Sequence, residues 1–231
     1  MMTSKVIVAL DFNNLTEVME FVQQIKPSEC RLKVGKELFT AYGPQIIREL
    51  QALGFEIFLD LKFHDIPNTV YKAIRVAADL GVWMVNVHAS GGREMLTKAR
   101  QAIEDSQHKP LLIAVTILTS LSESAVAEIG YQHSLVEQTL HLARLSYECG
   151  LDGVVCSAHE AAAIKLATSA EFLTVTPGIR LNTDKVDDQT RIMTPSIAVA
   201  SGADYLVIGR PITQSILPIE TLQGINHSLS F

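Results

Sequence analysis

Short runs of apolar, mostly β-branched residues recur along the chain, and between them the apolar positions fall three and four residues apart. Eight such runs stand out: Val6–Leu10, Arg31–Val34, Glu56–Leu59, Met84–Val87, Leu111–Val115, Gly153–Cys156, Phe172–Val175 and Tyr205–Ile208. Each is apolar enough to be a strand buried on both faces, as strands of a parallel sheet are. Most neighbouring runs begin about 20–35 residues apart, which leaves room for one strand and one returning helix.

The intervening segments carry helix signals. After the first run, Asn13 or Asn14 can cap a helix whose Val18, Phe21, Val22 and Ile25 form one face. Leu135 to Tyr147 and Ser196 to Ala203 read the same way, with Gly150 and Gly202 placed to stop each helix before the next strand. The longest gap, between the fifth and sixth runs, holds Thr119-Ser120-Leu121-Ser122 and an extra helical piece, read as a decorated loop. Strict alternation repeated eight times predicts an α/β fold, a single (β/α)8 TIM barrel spanning residues 1–231, with a doubly wound open sheet as the alternative.

Composition narrows the class. The chain of 231 residues is 48% hydrophobic, enough for a sizeable core. A formal net charge of −6 argues against a nucleic acid partner, although a few converging basic residues could still hold a small anion. Three dispersed cysteines, Cys30, Cys149 and Cys156, suit neither a disulfide framework nor a thiolate zinc site. The first apolar run is too short for a signal peptide or a membrane span, so a cytoplasmic protein without membrane contact is expected.

On a barrel the active site lies at the C-terminal ends of the strands, and there the sequence concentrates charge. Strand one ends in Asp11, strand two carries Lys33, strand three runs into Asp60-Leu61-Lys62-Phe63-His64-Asp65, strand four ends in Asn86-Val87-His88, and strand five leads to Thr116 and Thr119. Asp60 and Lys62 share a side because strand side chains repeat every two residues, and Asp65 follows one tight loop later. With Lys33 from the neighbouring strand they would make an alternating cluster of two ammonium and two carboxylate groups. Taken singly, each could be a salt-bridged strand end. Flanking carboxylates favour the charged form of Lys62, which suits a proton donor and not a Schiff-base nucleophile. His64 and His88 read as hydrogen-bonding neighbours rather than catalysts. Gly91-Gly92 reads as a helix entry, and Trp83 as core.

The last two strand ends look like a phosphate cradle. Strand seven leads into Thr176-Pro177-Gly178-Ile179-Arg180 and a polar stretch to Gln189, and strand eight into Gly209-Arg210-Pro211. Loops at these two positions of a barrel commonly bind phosphate, with glycine allowing close backbone approach and proline suiting the first turn of a helix. Arg210 suits a phosphate dianion, and Gln189 could add a hydrogen bond.

These residues together resemble the orotidine 5'-phosphate decarboxylase family, bacterial branch. The resemblance rests on Asp60-Leu61-Lys62-Phe63-His64-Asp65-Ile66-Pro67-Asn68-Thr69-Val70, with Val8-Ala9-Leu10-Asp11, Lys33-Val34-Gly35, Val87-His88-Ala89, Pro177-Gly178-Ile179-Arg180 and Ile208-Gly209-Arg210-Pro211-Ile212 in support. It implies a cofactor-free, metal-free decarboxylation of orotidine 5'-monophosphate within a homodimer whose sites lie at the subunit interface. Asp11 and Lys33 would bind the ribose hydroxyls, Lys33 and Asp60 would belong to the charged array, and Lys62 would deliver the proton. Asp65 and Thr69 would reach into the partner's site, Thr119 would contact the pyrimidine, and Arg180, Gln189, Gly209 and Arg210 would hold the phosphate. Leu181 departs from the proline frequent in the family at that place.

Two other functions compete. A metal-dependent sugar-phosphate decarboxylase or aldolase of the same superfamily shares Asp-x-Lys-x-x-Asp, but Lys33 would repel a divalent cation. A non-catalytic nucleotide or sugar-phosphate sensor would have little reason to keep four costly charges.

Overall fold

In the computed structural model, which describes residues 4–181 and 193–229, eight parallel strands close into a barrel in chain order, each pairing with its sequence neighbours and the eighth with the first. The elements run β1 (Val6–Ala9), α1 (Leu15–Val22), β2 (Arg31–Gly35), α2 (Lys36–Tyr42), α3 (Pro44–Ala52), β3 (Ile57–Phe63), α4 (Pro67–Asp79), β4 (Met84–His88), α5 (Gly92–Glu104) and β5 (Leu111–Val115). They continue with α6 (Glu123–Glu128), α7 (Leu135–Glu148), β6 (Gly153–Val155), α8 (Ala161–Ala167), β7 (Leu173–Thr176), α9 (Pro195–Ala200), β8 (Tyr205–Ile208), α10 (Arg210–Thr213) and α11 (Pro218–Ser228). All eight expected strands are present, shifted by a few residues at their ends. The open sheet is set aside by the β1–β8 pairing of Val6 with Leu206 and Val8 with Ile208.

Local signals explain the helices. Asn14 caps α1 by accepting the N–H of Glu17, and Val18, Phe21 and Val22 are buried as the spacing requires. Ser134 and Glu137 form a reciprocal capping box on α7. The second crossover divides into α2 and α3 because Gly43, at φ +61°, turns the chain and Pro44 opens a new helix. The extra piece in the long gap is α6, capped by Ser122.

Parity along each strand decides what faces where. Val6 and Val8, Leu32 and Val34, Ile57 and Leu59, and Val85 and Val87 pack outward against the helices. The opposite parity fills the barrel with Ile7, Phe58, Met84, Ile113 and Val175, flanked by Trp83, Tyr205 and Val207. Arg31 closes the N-terminal end of this interior, its guanidinium 4.1 Å from the Trp83 ring and 5.2 Å from the Tyr205 ring, with Glu56 2.8 Å away. Two residues later on the same inward face, Lys33 emerges at the functional rim, and Asp60 likewise follows Phe58.

Strands β6 and β7 approach closely at Gly153. A Cβ on Gly153 would lie 2.3 Å from the carbonyl oxygen of Leu173 on β7. Gly153→Ala is therefore expected to destabilise the fold by about 1–3 kcal/mol through overpacking against backbone that cannot step aside. Thermal unfolding checks this; an unchanged midpoint would show that β6 and β7 can separate without cost.

Candidate active site

The charged array is assembled from three adjacent strands. Lys33 of β2 places Nζ 3.5 Å from Asp11 Oδ1 and 3.3 Å from Asp60 Oδ2, while Lys62 of β3 places Nζ 2.5 Å from Asp60 Oδ1. Both Lys33 and Asp60 are buried, at 9% and 8% exposure, where an unpaired charge would be costly, and each is compensated by the groups around it. Burial alone would push the Asp60 carboxyl up. The charges of Lys33 and Lys62, with hydrogen bonds from Lys62 and Asn86, outweigh it and hold Asp60 below the usual carboxylate value. Asp60 is thus a fixed negative charge gripped by two ammonium groups.

Simple alternation does not bring Asp60 and Lys62 together. Lys62 has φ +54°, a left-handed conformation, and the register of β3 against β4 slips between Leu59 and Phe63. The expected convergence holds, but a bulge and not a regular pleat produces it.

Two cavities meet at this array. One, of about 200 Å³, is lined by Lys33, Asp60 and Lys62, by an apolar floor of Phe58, Val115, Ile117, Val155 and Val207, and by Thr119, Ser120 and Pro177. The other, of about 150 Å³, is lined by Asp11, Lys33, Gly35, Lys36, Asp60 and Lys62 among others. A flat, partly apolar ring fits the first, and a hydroxylated group the second. Gly209 brings the end of β8 close to this second space, since a Cβ there would lie 3.2 Å from Asp11 Oδ2. Arg180 and Arg210 each follow three residues after a lining residue of the first cavity, Pro177 and Val207. Gly178, at φ +79°, makes the turn before Arg180, and the pairing of Ile179 with Met193 ties the two sides of that loop. Pro211 lies in the first turn of α10, as its position predicts.

A match to the orotidine 5'-phosphate decarboxylase / HUMPS family model extends over residues 4–225, which includes all eight strands and every candidate residue. The chain belongs to that family. It is 58% identical over 228 residues to a Tolumonas auensis protein named orotidine 5'-phosphate decarboxylase, covering 98% of each chain. A Chromobacterium violaceum protein of the same name is 56% identical over 228 residues, covering 99% of this chain and 92% of that one. The crystal structure of orotidine 5'-phosphate decarboxylase from Lactobacillus acidophilus matches with a TM-score of 0.87 at 36% identity, covering 99% of this chain and 100% of that chain.

For this member of the orotidine 5'-phosphate decarboxylase / HUMPS family, the candidates divide by location. Asp11, Lys33, Asp60 and Lys62 come together within one chain, and Thr119, 7% exposed, lines the first cavity. Asp65 does not join its own chain's cluster: it is exposed, accepts the N–H of Ile66, and is in no ion pair among the described residues. Thr69 is exposed at the start of α4. Gln189 lies outside the described residues. Among those residues, no group of three or more His, Cys, Asp or Glu side chains stands together as a metal site, and no helix is long and apolar enough to cross a membrane.

Sequence reasoning assigned no role to Asn86 or to the apolar floor. Asn86, a polar residue inside the apolar run Met84–Val87, carried the signal in plain view.

His88 is the second perturbed group. Burial, then the charges of His64, Lys36 and Lys62, lower its pKa to about 4 against the pull of Asp60, so it is neutral at pH 7. Its depressed folded value means the unfolded chain takes up the proton first as pH falls. The stability this confers is complete above about pH 6.5 and is lost between about 6.5 and 4. His88→Asn, which does not titrate, is expected to lose less stability than wild type between pH 7 and pH 4.5. Urea unfolding at both values tests this, and equal losses would contradict it.

Proposed function

We propose that this chain decarboxylates orotidine 5'-monophosphate to uridine 5'-monophosphate (UMP), the last step of de novo pyrimidine nucleotide synthesis. The observation that carries the proposal is the buried Asp60 held between two lysines against a cavity with an apolar floor. Breaking the bond between pyrimidine C6 and the carboxylate leaves an electron pair in the ring plane, where the ring π system cannot accept it. Fixed charge has to stabilise it. Lys62 serves this role and then transfers a proton from Nζ to C6 as CO2 departs, after which solvent returns a proton to the amine. Asp60 stands where it would repel the substrate carboxylate, and the apolar floor favours neutral CO2 over the carboxylate that enters.

The rest of the substrate is divided along the rim. Asp11 and Lys33 take the ribose hydroxyls, Thr119 the pyrimidine, and Arg180, Gln189, Gly209 and Arg210 the phosphate. Binding energy from the phosphate supports closure over the reacting atoms and exclusion of water. The active form is a homodimer in which Asp65 and Thr69 enter the partner's site. Supporting this, both are exposed beside Ile66, which is itself 67% exposed.

The chemistry needs no metal at Asp60. Its Oδ1 faces Lys62 and Asn86 and its Oδ2 faces Lys33, so two ammonium groups occupy the positions a divalent cation would take. The test is the ultraviolet absorbance change on adding orotidine 5'-monophosphate with EDTA present. Conversion to UMP is expected. No conversion by a folded dimer, with turnover of a keto-acid sugar phosphate in Mg2+, would overturn the proposal.

A further inference from the structure

Asn86 is wholly buried on the inward face of β4 and lines neither of the two cavities. It stands opposite the place where β3 bulges. Leu59 pairs with Val85 and Phe63 with Val87, so β3 takes four residue steps while β4 takes two. Within that bulge Lys62 is the one non-glycine residue with positive φ among the described residues.

One amide holds the bulge at two points. Asn86 Oδ1 accepts the backbone N–H of Lys62 at 2.8 Å, and its Nδ2 donates to Asp60 Oδ1 at 2.7 Å. The orientation of the amide is fixed by its partners, because a backbone N–H only donates and an ionised carboxylate only accepts. Asp60 Oδ1 in turn receives the Lys62 ammonium. The Lys62 side chain is therefore fixed at both ends, its backbone by Asn86 directly and its Nζ by a carboxylate that Asn86 orients.

We infer that Asn86 is a positioning residue for the decarboxylation, setting the Lys62 ammonium without touching the substrate. This rests on the function proposed above. The demand is geometric, since a misplacement of about 1 Å at a reacting group can lower a rate about 100-fold. No other natural side chain of this size both accepts and donates in this way. Aspartate keeps the acceptor and loses the donor, and leucine loses both.

Asn86→Asp separates the two bonds with almost no change of shape. Its kcat is expected to fall about 100-fold at pH 7.5, while the dissociation constant for UMP changes less than about threefold. The new carboxyl would face Asp60, with Lys33, Lys62 and His88 nearby, and two carboxylates in contact hold a proton more tightly than one. Protonated, it regains an O–H donor for Asp60. The ratio of variant to wild-type kcat should thus rise at least about fivefold as pH falls to 5.5. A kcat within about threefold of wild type would overturn the inference, as would a loss of UMP affinity matching the loss of kcat, or a ratio indifferent to pH. If Asn86→Asp does not fold, Asn86→Ser carries the kcat and UMP readouts with the same expectation. Wild-type protein inert toward orotidine 5'-monophosphate would defeat the proposed function itself and this inference with it, an outcome distinct from an active wild type and an unaffected variant.

Discussion

Lys62→Ala is expected to lose at least about 10⁴-fold in kcat, because in the proposed reaction one ammonium supplies both electrostatic stabilisation and the proton, each typically worth about 10²–10⁴-fold. The loss should fall on kcat and much less on UMP affinity, since the charge it stabilises develops only as the carboxylate departs. The fold should survive. Lys62 is partly exposed, and the buried Asp60 keeps Lys33 at 3.3 Å and Asn86 at 2.7 Å after Lys62 is removed. Alanine at a left-handed position adds no strain that lysine did not already carry. Absorbance assays with UMP binding and circular dichroism on the same preparation decide the matter. Activity within tenfold of wild type would remove Lys62 as proton donor, and collapse of the fold would show that Asp60 needs both cations to remain buried.

How far such a site can be read from sequence depends on whether its geometry is periodic. The strands were legible because inward and outward residues alternate, and the same parity sends Lys33 and Asp60 toward the barrel axis. Parity does not give height, however: Arg31 and Lys33 share one face, yet Arg31 packs against Trp83 at the closed end and Lys33 reaches the rim. Alternation predicts the meeting of Asp60 with Lys62, but the structure brings them together through a bulge. No glycine or asparagine at position 62 announces the left-handed turn, and the residue that accommodates it, Asn86, lies on another strand. A bulge maintained from across the sheet has no signature in the bulged segment. The break between α2 and α3 is the opposite case, written locally in Gly43-Pro44. Asp65 shows a third case: sequence spacing suggests a place near the cluster, but its exposed carboxylate meets no ammonium among the described residues, and in the proposed dimer its partner comes from the second subunit.

Arg210→Ala is expected to lower kcat/KM by about 3–5 kcal/mol, or roughly 10²- to 5 × 10³-fold, the range for losing a bidentate charged contact to a phosphate dianion. A surface ion pair would cost only about 0–1 kcal/mol. Arg210 opens α10 directly after Gly209, whose close approach to Asp11 would tie the proposed phosphate end of the site to the proposed ribose end. The loss should therefore reach beyond affinity. Binding energy of a remote group that organises the reacting centre appears in kcat as well as in KM, so a substrate lacking the phosphate should be slow with wild type and gain little further penalty from the mutation. Steady-state kinetics on orotidine 5'-monophosphate and on orotidine form a two-by-two comparison that isolates the contact. If Arg210→Ala slows both substrates equally, Arg210 supports the end of β8 and the phosphate is held elsewhere.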